Sequence, residues 1–274
     1  MNQRAQVMVA KDIGGSAEVA EVDALDERAI AEHLASVFDR AGRVDISFNA
    51  IGIPHPEILG TPMVDLDAEW FSLPIADYTR SYFLTARLAA RRMIGAGSGV
   101  IMTVSAIPAR SGFPLQGGYG PAQAAKEALT RSLSAELAPH GVRVLALRPN
   151  GLPETDTLRE AFESRAQALG TTWEAWQEVL AARTHPRRLS TLAELGDAAA
   201  FLASDGARGM TGTTVNLSMN DEIDYELTAD QWEALKALRA PAANPARIRR
   251  SAVDKLVTLG FVAMPRPRNW GEEP

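Results

Sequence analysis

The stretch YGPAQAAKEALTRSLSAELAPHGVRVLALRPNG, Tyr119 to Gly151, joins a long helical pattern to an almost continuously apolar strand. A strand of that kind needs cover on both faces, because neither face suits water. The same unit recurs along the chain. Helix-spaced apolar residues from Asp26 to Ala41 precede VDISFNAIG, which starts at Val44 and reads as a buried strand. Two long helices are expected between Asp67 and Ile94, with Pro74 early in or between them, ahead of the strand GVIMTVSA from Gly99. A helical region from Glu154 to Ala182 and a helix over Leu192–Ala203 precede a last strand at Thr213–Leu217. AEVAEVD, ending at Asp23, reads as an earlier strand, and Gln3 to Ile13 as the tail of a helix stopped by Gly14 and Gly15. Strands alternating with helices of ten or more residues imply a doubly wound α/β fold with a parallel sheet.

Composition removes several function classes. The chain has 274 residues and 46% hydrophobic content, enough for one full core plus a small appendage. A net charge of −6 argues against the whole chain being a nucleic-acid binder. With no cysteine there are no disulfides or thiolate metal sites, which fits a reducing cytoplasm. The four histidines, His33, His55, His140 and His185, form no i, i+4 pair, so no metal site is expected. No apolar run nears the ~18 residues that span a membrane, and the start lacks an apolar signal core. The character changes near residue 221. Residues 227–274 hold 8 Lys/Arg against 5 Asp/Glu, so a basic extension over 221–274 is expected to follow a main domain over 1–220.

Several dispersed motifs, in order, resemble the short-chain dehydrogenase/reductase family. Tyr119 opens the active-site helix. Asn49, Ala50, Ile51 and Gly52 stand where Asn-Asn-Ala-Gly follows the family's fourth strand. RPNG, 148–151, resembles the turn beside the nicotinamide, and HPRRLSTLAELGDAAAFLASDGARGMTGTTVNLS resembles the closing segment. The resemblance covers residues 3–220 and implies a Rossmann-like sheet, NAD or NADP as cofactor, and a carbonyl or alcohol substrate. It assigns Tyr119 and Ser105 to catalysis. It assigns Asp23, Asn49, Ala50, Gly52, Pro149 and Gly151 to the cofactor. It also implies a homodimer or homotetramer, through the helices at Asp67–Ile94 and Tyr119–Pro139, with Ala89 and Ala90 permitting close approach.

The departures are equally specific. The family's first strand, with its Thr-Gly-x-x-x-Gly-x-Gly turn that holds the pyrophosphate at a helix N-terminus, has no counterpart here. GAGSG, 95–99, follows a helix and precedes a strand, the reverse of a phosphate loop. The family's lysine, four residues past the tyrosine, is Gln123. Its serine falls on Ala106, with Ser105 adjacent, and its asparagine on Tyr78, or on Asp77 if the frame slips by one. Lys126, seven residues past Tyr119, is expected not to reach the same point. The chain therefore reads as a weak or inactive oxidoreductase homologue. The alternative is a non-catalytic binding or assembly protein using the residual pocket or the basic tail.

Each residue has a plainer reading. Tyr119 can be an inherited pocket tyrosine titrating near 10. Ser105 can be a polar strand end, Asp23 a strand terminator, and Asn49 a pin for the loop before Pro54. His55 reads as an exposed loop histidine, and His140 as a complement to a helix dipole. Trp70 reads as packing, while Trp173 and Trp176 read as packing or as a lid. LTADQWEALKALRA with RIRRSAVDKLVTLGFVAMPRPRN loosely resembles part of a winged-helix unit, or an amphipathic docking segment. Finally, AEVAEVD is expected to pair in parallel with VDISFNAI, closing an edge that would otherwise be apolar and open.

Overall fold

A computed structural model describes residues 17–53, 55, 58–156, 158–159 and 170–219. These lie within the unit Met1–Glu222. The expected helix tail at 3–13 and the basic extension lie outside the described residues.

Each helix starts and stops on local chemistry. The first, α1 (Glu27–Ala41), is capped by Asp26, whose carboxylate accepts from the backbone N–H of Arg28 and Ala29. Gly42, left-handed at φ 72°, ends it. α2 (Ala68–Ala96) is capped by Asp67 and closed by Gly97 at φ 65°. α3 (Tyr119–Leu137) begins on Gly118, α4 (Trp173–Arg183) on Thr172, and α5 (Leu192–Ala203) on a reciprocal box of Thr191 and Glu194. The strands are β1 (Ile46–Asn49), β2 (Gly99–Val104), β3 (Val142–Pro149) and β4 (Thr213–Leu217). They form one parallel sheet in the order β1-β2-β3-β4.

β2 and β3 are buried throughout nearly their whole length, as their unbroken apolar runs require. Alternate residues supply two cores. On one face Ile101, Val142 and Val144 pack with Tyr82, Ala86, Ala89 and Met93 of α2 and with Leu137. On the other, Val100, Met102, Leu145 and Leu147 pack with Leu195, Ala199 and Leu202 of α5. The expected doubly wound α/β architecture is therefore present.

Four local expectations change. AEVAEVD, 17–23, is not a strand and does not pair with β1. Its two valines, Val19 and Val22, are three residues apart, so a strand would put them on opposite faces. Glu18 instead pairs with Arg40 of α1 at 2.7 Å. β1 is thus the edge of the described sheet, with Ile46 50% exposed. Second, α2 is one helix of 29 residues with Pro74 inside it. Pro74 sits near the N-terminal end, is buried, and packs beside Gly118, where tertiary contact offsets the missing N–H. Third, the helical region expected over 154–182 is interrupted: Gly170 has φ 68°, and α4 starts afresh at Trp173. Fourth, Ala89 and Ala90 are buried in this chain's own core, so they offer no surface to a second copy.

At the far end of the sheet, Gly141 turns from α3 into β3 at φ 76°. A Cβ there would lie 2.1 Å from the Gly97 carbonyl oxygen. Gly141→Ala combines a left-handed penalty with a clash against backbone and is expected to cost at least about 2 kcal/mol. A shift of the urea midpoint below wild type by that amount checks it; an unchanged midpoint contradicts it.

Candidate active site

A cavity of ≈ 340 Å³ opens at the C-terminal ends of the strands, where open α/β sheets collect ligands. Its walls are mostly apolar, including Ile53, Ile58, Val104, Phe113 and Leu180. Ala50, Ile51 and Gly52 reach it from the loop after β1, and Pro149, Asn150 and Gly151 from the turn after β3. Ser105, Tyr119, Gln123 and Lys126 supply polar atoms along one wall.

The α3 residues share that wall because of helical spacing. Positions 119, 123 and 126 recur at four and three residues and so fall on one face. Gln123 is buried one turn from Tyr119. Lys126 is buried too and donates from Nζ to the Val104 carbonyl at 2.6 Å. Lys126, expected not to reach the point beside Tyr119, directs its amine to the Val104 carbonyl and the Tyr78 ring but lines the same cavity. Long helical side chains lean toward the N-terminus, which shortens two turns of axial separation. Lys126 Nζ lies 5.4 Å from the Tyr78 ring centroid, and the Tyr78 and Tyr119 centroids lie 5.7 Å apart, edge to face.

The electrostatics follow from burial. Desolvation, and then the neighbouring Tyr78 phenol, push the Tyr119 hydroxyl well above its ordinary range. Tyr78 is also raised by burial, partly offset by its hydrogen bond to Ile53. Its hydroxyl accepts from Ile53 N–H and donates to the Ile53 carbonyl, both at 3.0 Å, clamping the loop after β1. Burial alone brings the Lys126 amine down to about 7.

Ser105 lies on the wall, but its proton is committed. Its Oγ donates to Glu127 Oε1 at 2.8 Å, and Arg148 Nη1 donates to the same oxygen at 2.7 Å. Glu127 and Arg148 form a buried ion pair, 6% and 5% exposed at their side chains. A hydroxyl holding a carboxylate has no second proton for a ligand carbonyl.

The other assigned residues divide. Asn49 does not line the cavity: it is buried, and its Nδ2 donates to Ser81 and Thr85 of α2, fixing the end of β1. Asp23 stands apart, its carboxylate accepting from Leu25 N–H in an exposed turn before α1. His55 is not the exposed histidine expected. It is buried on the cavity wall, with Nε2 3.5 Å from Asp77 Oδ2 and its ring 6.3 Å from that of Tyr78. Neither Trp173 nor Trp176 lines the cavity; Leu180 of the same helix does. Sequence reading missed the Glu127–Arg148 pair and the reach of Lys126. The available signal was the charged residues inside an otherwise buried helix face and strand.

Described residues fit only one end of a nicotinamide dinucleotide. Asn150 Nδ2 is buried without a hydrogen-bond partner, a donor suited to a carboxamide or ribose oxygen. No described residues form a glycine turn with a helix N-terminus for the diphosphate, and Asp23 is engaged in its own turn. Among the described residues the fit fails at the diphosphate.

A family model described as enoyl-(acyl carrier protein) reductase matches residues 2–218. The chain belongs to the short-chain dehydrogenase/reductase family. It is 30% identical over 217 residues to short-chain reductase protein NovJ of Streptomyces niveus, covering 78% of each chain. It is 28% identical over 233 residues to (+)-borneol dehydrogenase 2 of Salvia officinalis, covering 83% of this chain and 77% of that one. Among solved structures it is similar to 7α-hydroxysteroid dehydrogenase complexed with NADH and 7-oxo glycochenodeoxycholic acid. The TM-score is 0.67, with 26% identity over 79% of this chain and 80% of that one.

Proposed function

We propose that this short-chain dehydrogenase/reductase binds a small, mostly apolar carbonyl compound or alcohol in the cavity and catalyses hydride transfer from NAD(P)H weakly or not at all. The observation that carries this reading is Tyr119: its phenol is pushed up by burial and by Tyr78, with the neutral Gln123 at the next turn. Proton transfer near neutral pH needs an acid whose pKa lies near the working pH. A raised phenol can still donate a hydrogen bond to a carbonyl, which supports binding without turnover. Ser105 adds no free proton, since Glu127 holds it. The ligand class is supported by the apolar walls and by a relative named for borneol, a small apolar alcohol.

Gln123→Lys alone is expected not to create turnover, because Ser105 remains tied to Glu127 and no diphosphate site stands among the described residues. The check is consumption of NADPH and NADH by that variant with a ketone panel. Turnover well above the uncatalysed background would show that the missing cation was the only defect.

A further inference from the structure

Lys126 is a buried amine with no part in the reading above. It has no carboxylate partner among the described residues. The nearest acid in sequence, Glu127, is held by Arg148 and Ser105. Asp77, beside Tyr78 on α2, is the acid next to His55, its Oδ2 3.5 Å from the imidazole Nε2. Around Nζ stand the Val104 carbonyl from β2, the Tyr78 ring from α2, and the cavity that Tyr119 and Gln123 of α3 also line. The carbonyl bond uses one N–H and leaves the nitrogen beside an apolar space of ≈ 340 Å³.

We propose that Lys126 captures small apolar aldehydes or ketones in this cavity as a reversible imine. A desolvated lysine in an apolar pocket is the usual form of an amine nucleophile. Burial, which holds this amine at about 7, leaves a large share of it unprotonated at neutral pH. The nitrogen adds to the carbonyl carbon while the π pair moves to oxygen, which takes one N–H proton to give a carbinolamine. The hydroxyl then leaves with the second N–H proton as one water, and the C=N bond forms. Tyr119 stands beside the cavity as a phenol that keeps its proton, suited to hydrogen-bond the departing oxygen, while the Tyr78 proton is held by the Ile53 carbonyl. No cofactor enters these steps, so the capture holds or fails independently of the oxidoreductase reading.

The chain has four lysines, Lys11, Lys126, Lys236 and Lys255, which makes the site easy to map. Full-length protein is incubated with hexanal and sodium cyanoborohydride near pH 7.5, which reduces any imine to a stable secondary amine, and peptides are mapped by mass spectrometry. The expected result is an adduct at Lys126 forming about tenfold or more faster than at the other three, as an activated amine requires. Excess hexan-1-ol, which fits the cavity without reacting, should slow that adduct and leave the others unchanged. Lys126→Met should remove it. An adduct confined to Lys11, Lys236, Lys255 or the N-terminus in the wild type overturns the proposal without recourse to any variant. So does a Lys126 adduct indifferent to hexan-1-ol.

Discussion

Replacing Glu127 by Gln is expected to lower stability by about 3–5 kcal/mol, the largest effect of a single polar change in the described structure. Its partner Arg148 is buried at the end of β3, and Arg148 Nη1 sits 2.7 Å from the carboxylate. Removing the negative charge takes from this buried guanidinium the carboxylate that its Nη1 holds at 2.7 Å. Ser105 also loses the acceptor of its 2.8 Å bond, although the Leu147 carbonyl, 3.4 Å away, offers a weaker one. The pair is a different matter from either member. Glu127→Leu with Arg148→Met removes both charges and fills similar volume, so the double variant should cost far less than the two single changes added together. A cycle of urea denaturation on the four proteins measures this. Additive losses would mean that the two residues are not coupled.

A second large effect concerns Lys126, and its sign depends on pH. The amine titrates near 7 in the folded protein and near 10.5 when unfolded. Between those values the unfolded chain holds more protons, so stability rises as pH rises, with a slope on the order of 1 kcal/mol per pH unit. Below pH 7 the full penalty of charging a buried amine is present. Lys126→Met is therefore expected to be more stable than wild type at pH 6, by a few kcal/mol in order of magnitude, and to lose the slope. By pH 9 the gap between the two proteins should have narrowed by roughly half, and it closes only above pH 10.5. Raised phenols such as Tyr82, pushed up to about 12, act only above their unfolded pKa near 10, outside this window. Parallel stability profiles of the two proteins from pH 6 to pH 9 would contradict the assignment.

The parts of the fold that were legible in the sequence are those where one period dominates. β2 and β3 read as buried strands because their apolar runs are unbroken, and they lie at the centre of the sheet. The helix expected over Leu192–Ala203 is α5, which the structure closes at its start with a Thr191–Glu194 capping box. AEVAEVD misled because β-branched residues raised its strand propensity while their spacing of three gave it no single face. Pro74 misled in the other direction. Proline argued for a break, but burial against the turn at Gly118 holds the helix together, a contact between residues more than forty positions apart that local sequence does not encode.

At the site, the family resemblance singled out Tyr119 and the loops carrying Ala50, Gly52, Pro149 and Gly151, and these residues line the cavity. Lys126 was missed because distance along the helix was weighed without the lean of the side chain. His55 was judged from its loop alone, whereas its burial depends on Tyr78 and Asp77, brought in from α2. The commitment of Ser105 to Glu127 joins residues 22 positions apart and is likewise a tertiary fact.

The central claim is that the cavity holds carbonyl compounds without efficiently reducing them. The direct measurement is NADPH and NADH consumption by the full-length wild type and Tyr119→Phe with small apolar aldehydes and cyclic ketones at pH 7.5. The expected result is that the wild type runs at or barely above the uncatalysed rate with all of them, and that Tyr119→Phe does not change this. Sustained turnover by the wild type, lost in Tyr119→Phe, would contradict the claim and restore Tyr119 as a working catalytic acid.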